Sequence, residues 1–132
     1  MKEKIKKLLK SLSRNESSVA SNDTLVKDIE EFTDDENMRS SRNTVADYLN
    51  VLDSLYLIDN QEAFSINYRS SKRIGKSPKR HLVDPSLACA CLDLTVPKLM
   101  NDLNTFGLLF ESLVERDLRI YMDYLDGKLY HF

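Results

Sequence analysis

Ser41-Arg-Asn-Thr-Val-Ala-Asp-Tyr-Leu-Asn-Val-Leu-Asp-Ser-Leu55, followed at once by Tyr56-Leu-Ile58, is where the hydrophobic period of this chain changes. Val45, Tyr48, Leu49, Leu52 and Leu55 recur at three- and four-residue spacing, which places them on one face of a helix. Ser40 or Ser41 stands where a cap is needed, after the polar turn Thr33–Asn37. Beyond Leu55 the period falls to two. Tyr56–Ile58 and Ala63–Tyr68 read as short strands joined by Asp59-Asn-Gln-Glu62, and His81–Val83 reads as a returning strand. Upstream, Lys2–Leu12 forms an amphipathic helix on Ile5, Leu8, Leu9 and Leu12. Residues 14–20 are polar and serine-rich, a loop. A second helix starts at Ser21, Asn22 or Asp23 and runs to Phe32 over Leu25 and Ile29. Three short helices followed by strand, loop and strand give a winged-helix-like layout.

The second part of the chain is again helical. Asp84 is a cap and Pro85 a first helical residue for a helix reaching Leu92. Val96–Leu103 is a further short helix, and Thr105 is expected to cap the long helix after it. Phe106, Phe110, Leu113, Val114, Leu118, Tyr121 and Leu125 are read as the buried stripe of that long helix. Asp126-Gly127 is a turn, and Lys128–Phe132 begins a strand with no following partner. The expected class is therefore mainly α with a small β component (α+β). A winged-helix-like module over residues 1–84 precedes a helical segment over 85–132, which leads into a truncated sheet.

The 132 residues suit one ordinary domain, and 42% hydrophobic with 30% charged residues is a normal globular composition. No stretch approaches the roughly 18 apolar residues of a membrane span. The basic N-terminus lacks the apolar run and small-residue cleavage site of a signal peptide, so the cytoplasm is the expected location. Cys89 and Cys91 lie two apart in a helix and do not face each other, which argues for small buried residues rather than a disulfide or zinc site. The formal charge is only -2, but it is unevenly spread. Residues 63–83 carry six basic side chains and no acid: Arg69, Lys72, Arg73, Lys76, Lys79 and Arg80. Cations beside Tyr68, Ser70, Ser71 and Ser77 suit phosphate contacts. Arg42 and Asn43 on the third helix add two further candidates for nucleic-acid binding. The same helix carries Asp47 and Asp53, which repel phosphate, so any DNA contact is expected to be weak and tolerant of sequence. A solvated loop or a protein-contact surface is the alternative reading of the same island.

Catalytic signatures are missing from the pattern. Gly75-Lys76-Ser77 looks like the tail of a phosphate-binding loop, but position 70 is Ser where that loop needs Gly, and Pro78 obstructs the helix that should follow. His81 and His131 are the only histidines, and no Ser-His-Asp or Cys-His grouping can be drawn. Glu111 is a lone carboxylate in Phe110-Glu-Ser112. The chain is expected to be no enzyme, with no cofactor and no metal of its own.

Ser77-Pro-Lys-Arg-His-Leu-Val-Asp-Pro-Ser-Leu-Ala-Cys-Ala-Cys-Leu92 and Gly107-Leu-Leu-Phe-Glu-Ser-Leu-Val-Glu-Arg-Asp-Leu118 together resemble the C-terminal domain of unknown function of prokaryotic P-loop ATPases of the AAA+ class. That domain carries S-P-K-x-Y-F-x-D-x-G-L, then G-x-L-F-E-N-x-V-x-x-E-L, and continues into a sheet like that of PD-(D/E)XK nucleases. Here Ser86 replaces the usual glycine after the aspartate. The resemblance implies a winged-helix part, the start of a nuclease-like segment, and ATP and magnesium held only in an upstream module. It implies a non-catalytic accessory domain that contacts nucleic acid or the ATPase module. A stand-alone winged-helix DNA-binding regulator is the alternative. Expected partners are non-specific DNA, the ATPase module and, at the unpaired terminal strand, a second copy of the chain; no membrane is expected.

Overall fold

The computed structural model describes residues 2–30, 35–66, 69 and 77–132, with 35–40 described by backbone alone. Among these residues are six helices: α1 (Lys2–Arg14), α2 (Asn22–Ile29), α3 (Asp35–Ser54), α4 (Pro85–Cys91), α5 (Val96–Asn101) and α6 (Leu103–Tyr124). No described helix is long and apolar enough to cross a membrane.

Each helix begins and ends for a local reason. Ser21 caps α2 by accepting from the Thr24 amide at 3.2 Å, which satisfies one of the donors a helix start leaves over. Asp84 caps α4 through the Ser86 amide at 2.8 Å, with Pro85 just inside. For α6 the cap is Asp102 rather than the expected Thr105. Asp102 accepts from both the amide and the hydroxyl of Thr105, at 3.1 and 2.6 Å. α3 starts at Asp35, inside the stretch read as a turn, and ends as Tyr56 enters the left-handed region at φ 55°.

Packing follows the apolar spacing in the first three helices. Leu8 and Leu12 of α1, Leu25, Val26 and Ile29 of α2, and Val45, Leu49 and Leu52 of α3 are buried together. Ile58, Leu82, Ala88 and Leu109 join the same cluster, so one core draws on both sides of the boundary expected at Asp84. α1 packs on α2 and α4, α2 on α3, and α4 and α5 on α6. Cys89 and Cys91 are free and half-buried.

The expected α+β class does not hold. Where a winged-helix hairpin and a truncated nuclease-like sheet were expected, the described residues contain no sheet. They form only isolated bridges: Ile58 with Leu82, Gln61 with Lys79, Ser18 with Arg80, and Ala63 with His131. Asp59 and Asn60, both poor strand formers, interrupt the first pair of segments, and residues 127–130 are irregular, with a single bridge at His131. The segment 79–83 nevertheless has a central place. On one side the amide of Asp59 donates to His81 O at 2.9 Å, and Lys79 and Gln61 exchange two bonds at 2.8 and 2.9 Å. On the other side the Ser17 amide donates to Arg80 O at 2.8 Å, and the Arg80 amide to Ser18 O at 2.7 Å.

Two carboxylates bolt α2 to its neighbours. Asp28 accepts from Ser11 at 2.6 Å, from Arg14 at 2.6 Å and from Asn15 at 3.1 Å. Glu30 accepts from Lys4 at 2.5 Å and from Ser41 at 2.6 Å. Burial alone would raise both carboxyls, but the hydrogen bonds and nearby cations outweigh it and hold both below their ordinary values. A carboxyl with a depressed folded value contributes stability that is fully present above its unfolded value and is lost as pH falls through the folded one. Urea unfolding followed from neutral pH downward should therefore show stability falling from the region of 3.8 to 4.5 into lower pH, and Asp28→Asn should flatten that slope. In the core, Leu8→Ala and Leu25→Ala should each cost about 2–5 kcal/mol in the same assay, whereas Val51→Ala on the exposed side of α3 should change stability by about 0.5 kcal/mol or less.

Candidate functional site

The cationic residues expected to bind nucleic acid are not brought into one free patch among the described residues. Arg42 of α3 is paired with Asp23 of α2, Nε to Oδ1 at 2.6 Å and Nη2 to Oδ2 at 3.0 Å. Asn43 and Arg69 are exposed. Lys72, Arg73 and Lys76 lie outside the described residues. Lys79 is held by Glu111 of α6 at 2.5 Å. Arg80 is buried, donating from Nε to Ala20 O at 3.0 Å and from Nη2 to Asn22 Oδ1 at 2.6 Å. Arg42 and Arg80 thus flank the first turn of α2, while Lys79 turns to α6.

Beside Arg80 lies a polar cluster that sequence reasoning missed. Glu16 follows α1 and is 2% exposed. Its Oε1 accepts from the Ser112 hydroxyl of α6 at 2.7 Å and lies 3.0 Å from His81 Nδ1. Its Oε2 accepts from the Leu82 amide at 3.0 Å. His81 is 2% and Ser112 1% exposed. A carboxylate only accepts, so the proton of this pair is assigned to Nδ1 of His81. His81 Nε2 has no hydrogen-bond partner among the described residues. Ser112 donates to the carboxylate and not to the imidazole, so the three residues are not ordered as a nucleophile, base and orienter. Their seclusion from solvent makes them a structural clamp. Among the described residues no group of His, Cys, Asp and Glu could hold a metal ion.

The clamp fixes which way α6 faces, and here the sequence expectation is corrected. Of the expected stripe, Leu113 is half-buried, whereas Phe106, Phe110, Val114, Leu118, Tyr121 and Leu125 are exposed, each by 39–68%. The buried face carries Leu109, Ser112 and Glu115 instead. Its remaining ties are also polar. The Ser17 hydroxyl donates to Leu108 O at 2.8 Å. Arg116 pairs with Asp84 and Asp117, and Arg119 with Asp59 and Glu115. The Asp59 carboxyl is pushed up by burial, with the Arg119 charge opposing. A helix held by ion pairs and a buried serine has no need to turn its apolar side inward.

Removing one donor from the clamp leaves the Glu16 carboxylate short of a partner in a buried site. Ser112→Ala should cost about 1–3 kcal/mol in urea unfolding, and Glu16→Leu, which strands the His81 and Ser112 donors together, should cost about 3–5 kcal/mol. A change below about 0.5 kcal/mol for both would show that the cluster is not coupled to folding.

No curated protein and no solved structure matches the chain. The family model of a domain of unknown function, DUF8612, matches residues 1–98, from α1 into α5, and the chain belongs to that family.

Proposed function

We propose that this chain is a non-catalytic accessory domain that docks onto a protein partner through the outward face of α6, and that the partner is the P-loop ATPase module implied by the resemblance of residues 77–92 and 107–118. One observation carries the reading: the apolar side of α6 faces solvent while its polar side faces the core. Leu103, Phe106, Phe110, Val114, Leu118 and Leu125 are spaced as a continuous helical stripe, and all are exposed. The rings of Phe106 and Phe110 stack at 6.4 Å. Contiguous apolar surface of this kind marks a protein-contact site, and anchors at helical spacing suit a groove or a second helix.

Three of the described cations favour protein docking over nucleic-acid binding. Arg42 and Lys79 are in ion pairs, and Arg80 is buried. Phosphate contact by Arg42 or Lys79 would have to compete with those ion pairs. A cytoplasmic location fits an accessory domain that works beside an ATP-dependent enzyme.

The test is a titration of a purified P-loop ATPase module of the resembled family with this chain, followed by calorimetry and by ATPase rate. Saturable binding is expected, and Phe110→Asp with Leu118→Asp together should weaken it by at least about tenfold, roughly 1.4 kcal/mol, with no loss of folding because both positions are exposed. Binding unchanged in the double variant would remove α6 as the docking face. Duplex DNA binding that survives the double variant and falls steeply with salt would favour the nucleic-acid reading.

A further inference from the structure

On another side of the molecule, between the first turn of α2, the C-terminal half of α3 and residues 77–80, lies a cavity of about 450 Å³. That is within the size range of small-molecule sites. Its wall includes Arg80, and the circumstances of this guanidinium are unlike those of four other arginines. Arg14, Arg42, Arg116 and Arg119 each hold a carboxylate. Arg80, only 8% exposed, holds two neutral acceptors, Ala20 O and Asn22 Oδ1, and no carboxylate among the described residues. Burial pushes its guanidinium below the ordinary value, with no neighbouring charge contributing. A guanidinium has five N–H donors and these two bonds use two of them, so donors remain for a ligand in the cavity that Arg80 lines. Buried charges are otherwise paired or neutralised.

A second charge lines the same cavity. Asp53 stands on α3 one turn after Asn50, both facing the cavity and both exposed. Among the described residues Asp53 stands in no ion pair. The cavity thus presents a cation set back in its wall and a carboxylate nearer solvent. The side chains of Asn22 and Asn60 add amide groups, and Leu49 and Ile58 an apolar patch. A molecule with opposite charges a few bonds apart satisfies both ends at once. A nucleic-acid backbone does not, because Asp53 repels it and Arg80 is only 8% exposed.

We propose that this cavity binds a small zwitterion of the α-amino-acid class, with its carboxylate on the Arg80 guanidinium, its ammonium on Asp53 and its side chain toward Leu49 and Ile58. The charge-assisted bond to Arg80 supplies the anchor, and the amides fix orientation. The site is separate from the α6 face and does not rest on the docking proposal.

Calorimetry and heteronuclear shift mapping on the full chain test this, with the twenty amino acids as probes and acetate, methylamine and inorganic phosphate as controls. At least one amino acid should bind saturably, and the mapped shifts should fall on α2, α3 and residues 77–80. Asp53→Asn should weaken it by roughly tenfold, the loss of one charge-assisted contact. Arg80→Gln should abolish it. Because Arg80 also holds Ala20 and Asn22, Asn50→Leu, an exposed change that crowds the cavity, serves as the variant that spares the fold and should also block binding. The proposal is overturned if no amino acid saturates the folded chain, or if Asp53→Asn binds as well as the natural sequence. It is equally overturned if acetate or phosphate alone binds as tightly as any amino acid, which would make the cavity a simple anion site.

Discussion

The carboxylate of Glu16 is the point on which the rest of the structure depends. It takes bonds from an imidazole, a hydroxyl and a backbone amide that belong to two different parts of the chain. Moving such a group out of water costs several kcal/mol unless its lone pairs are satisfied, so the geometry around it is demanding. The neighbouring residue shows the demand: Ser17 sits in the left-handed region at φ 58°, where a non-glycine residue is strained. That turn places the Ser17 amide on Arg80 O and the Ser17 hydroxyl on Leu108 O. The end of α1, the segment 79–83 and the middle of α6 are thereby fixed at one place.

The way α6 is fixed explains why it is free to act outward. Leu109 is the one large apolar residue of α6 that the core buries. The rest of its hold is Ser112 on Glu16, Arg116 on Asp84 and Arg119 on Asp59. These are directional bonds that set the rotation of the helix about its axis as well as its position. A helix held by hydrophobic burial alone would roll until its phenylalanines were covered. Here the buried tie is Ser112 to Glu16, whose carboxylate would otherwise be short of a donor away from solvent, while the more exposed pairs of Arg116 and Arg119 set the direction of the helix rather than supply much energy.

The readable part of this fold was the local part. Leu25 with Ile29, and Val45 with Leu49 and Leu52, lie on buried faces as their spacing implied, because one helix turn decides them. Asp84 and Pro85 open α4 for the same reason: a cap needs only its own next residues. The spacing of α6 was also legible, but its direction was not. Periodicity locates a stripe without saying whether that stripe meets the core or a partner, and the bonds that settle the question join Ser112 to Glu16 across 96 residues. The β content was overestimated because the alternation around Ile58, Ala63 and Leu82 supports pairing at single positions and no more. The site residues suffered from the same limit. Arg42, Lys79 and Arg80 are visible as cations in sequence, whereas Asp23, Glu111 and Asn22, which occupy them, are neighbours only in three dimensions. Glu16 gave no signal at all, being one acid in a polar run.

The separation of the clamp's members has a consequence during synthesis. His81 follows Glu16 by 65 residues and Ser112 by 96. At translation rates of about 5–20 residues per second, Ser112 is made roughly 5–20 s after Glu16. During that interval α1, α2 and α3 can gather on the ribosome, but the Glu16 side chain must stay hydrated and the end of α1 must stay open. Completing the hydrogen bonds of Glu16 therefore waits for α6. A nascent chain stalled before Ser112 would hold three formed helices around a carboxylate that cannot yet leave water.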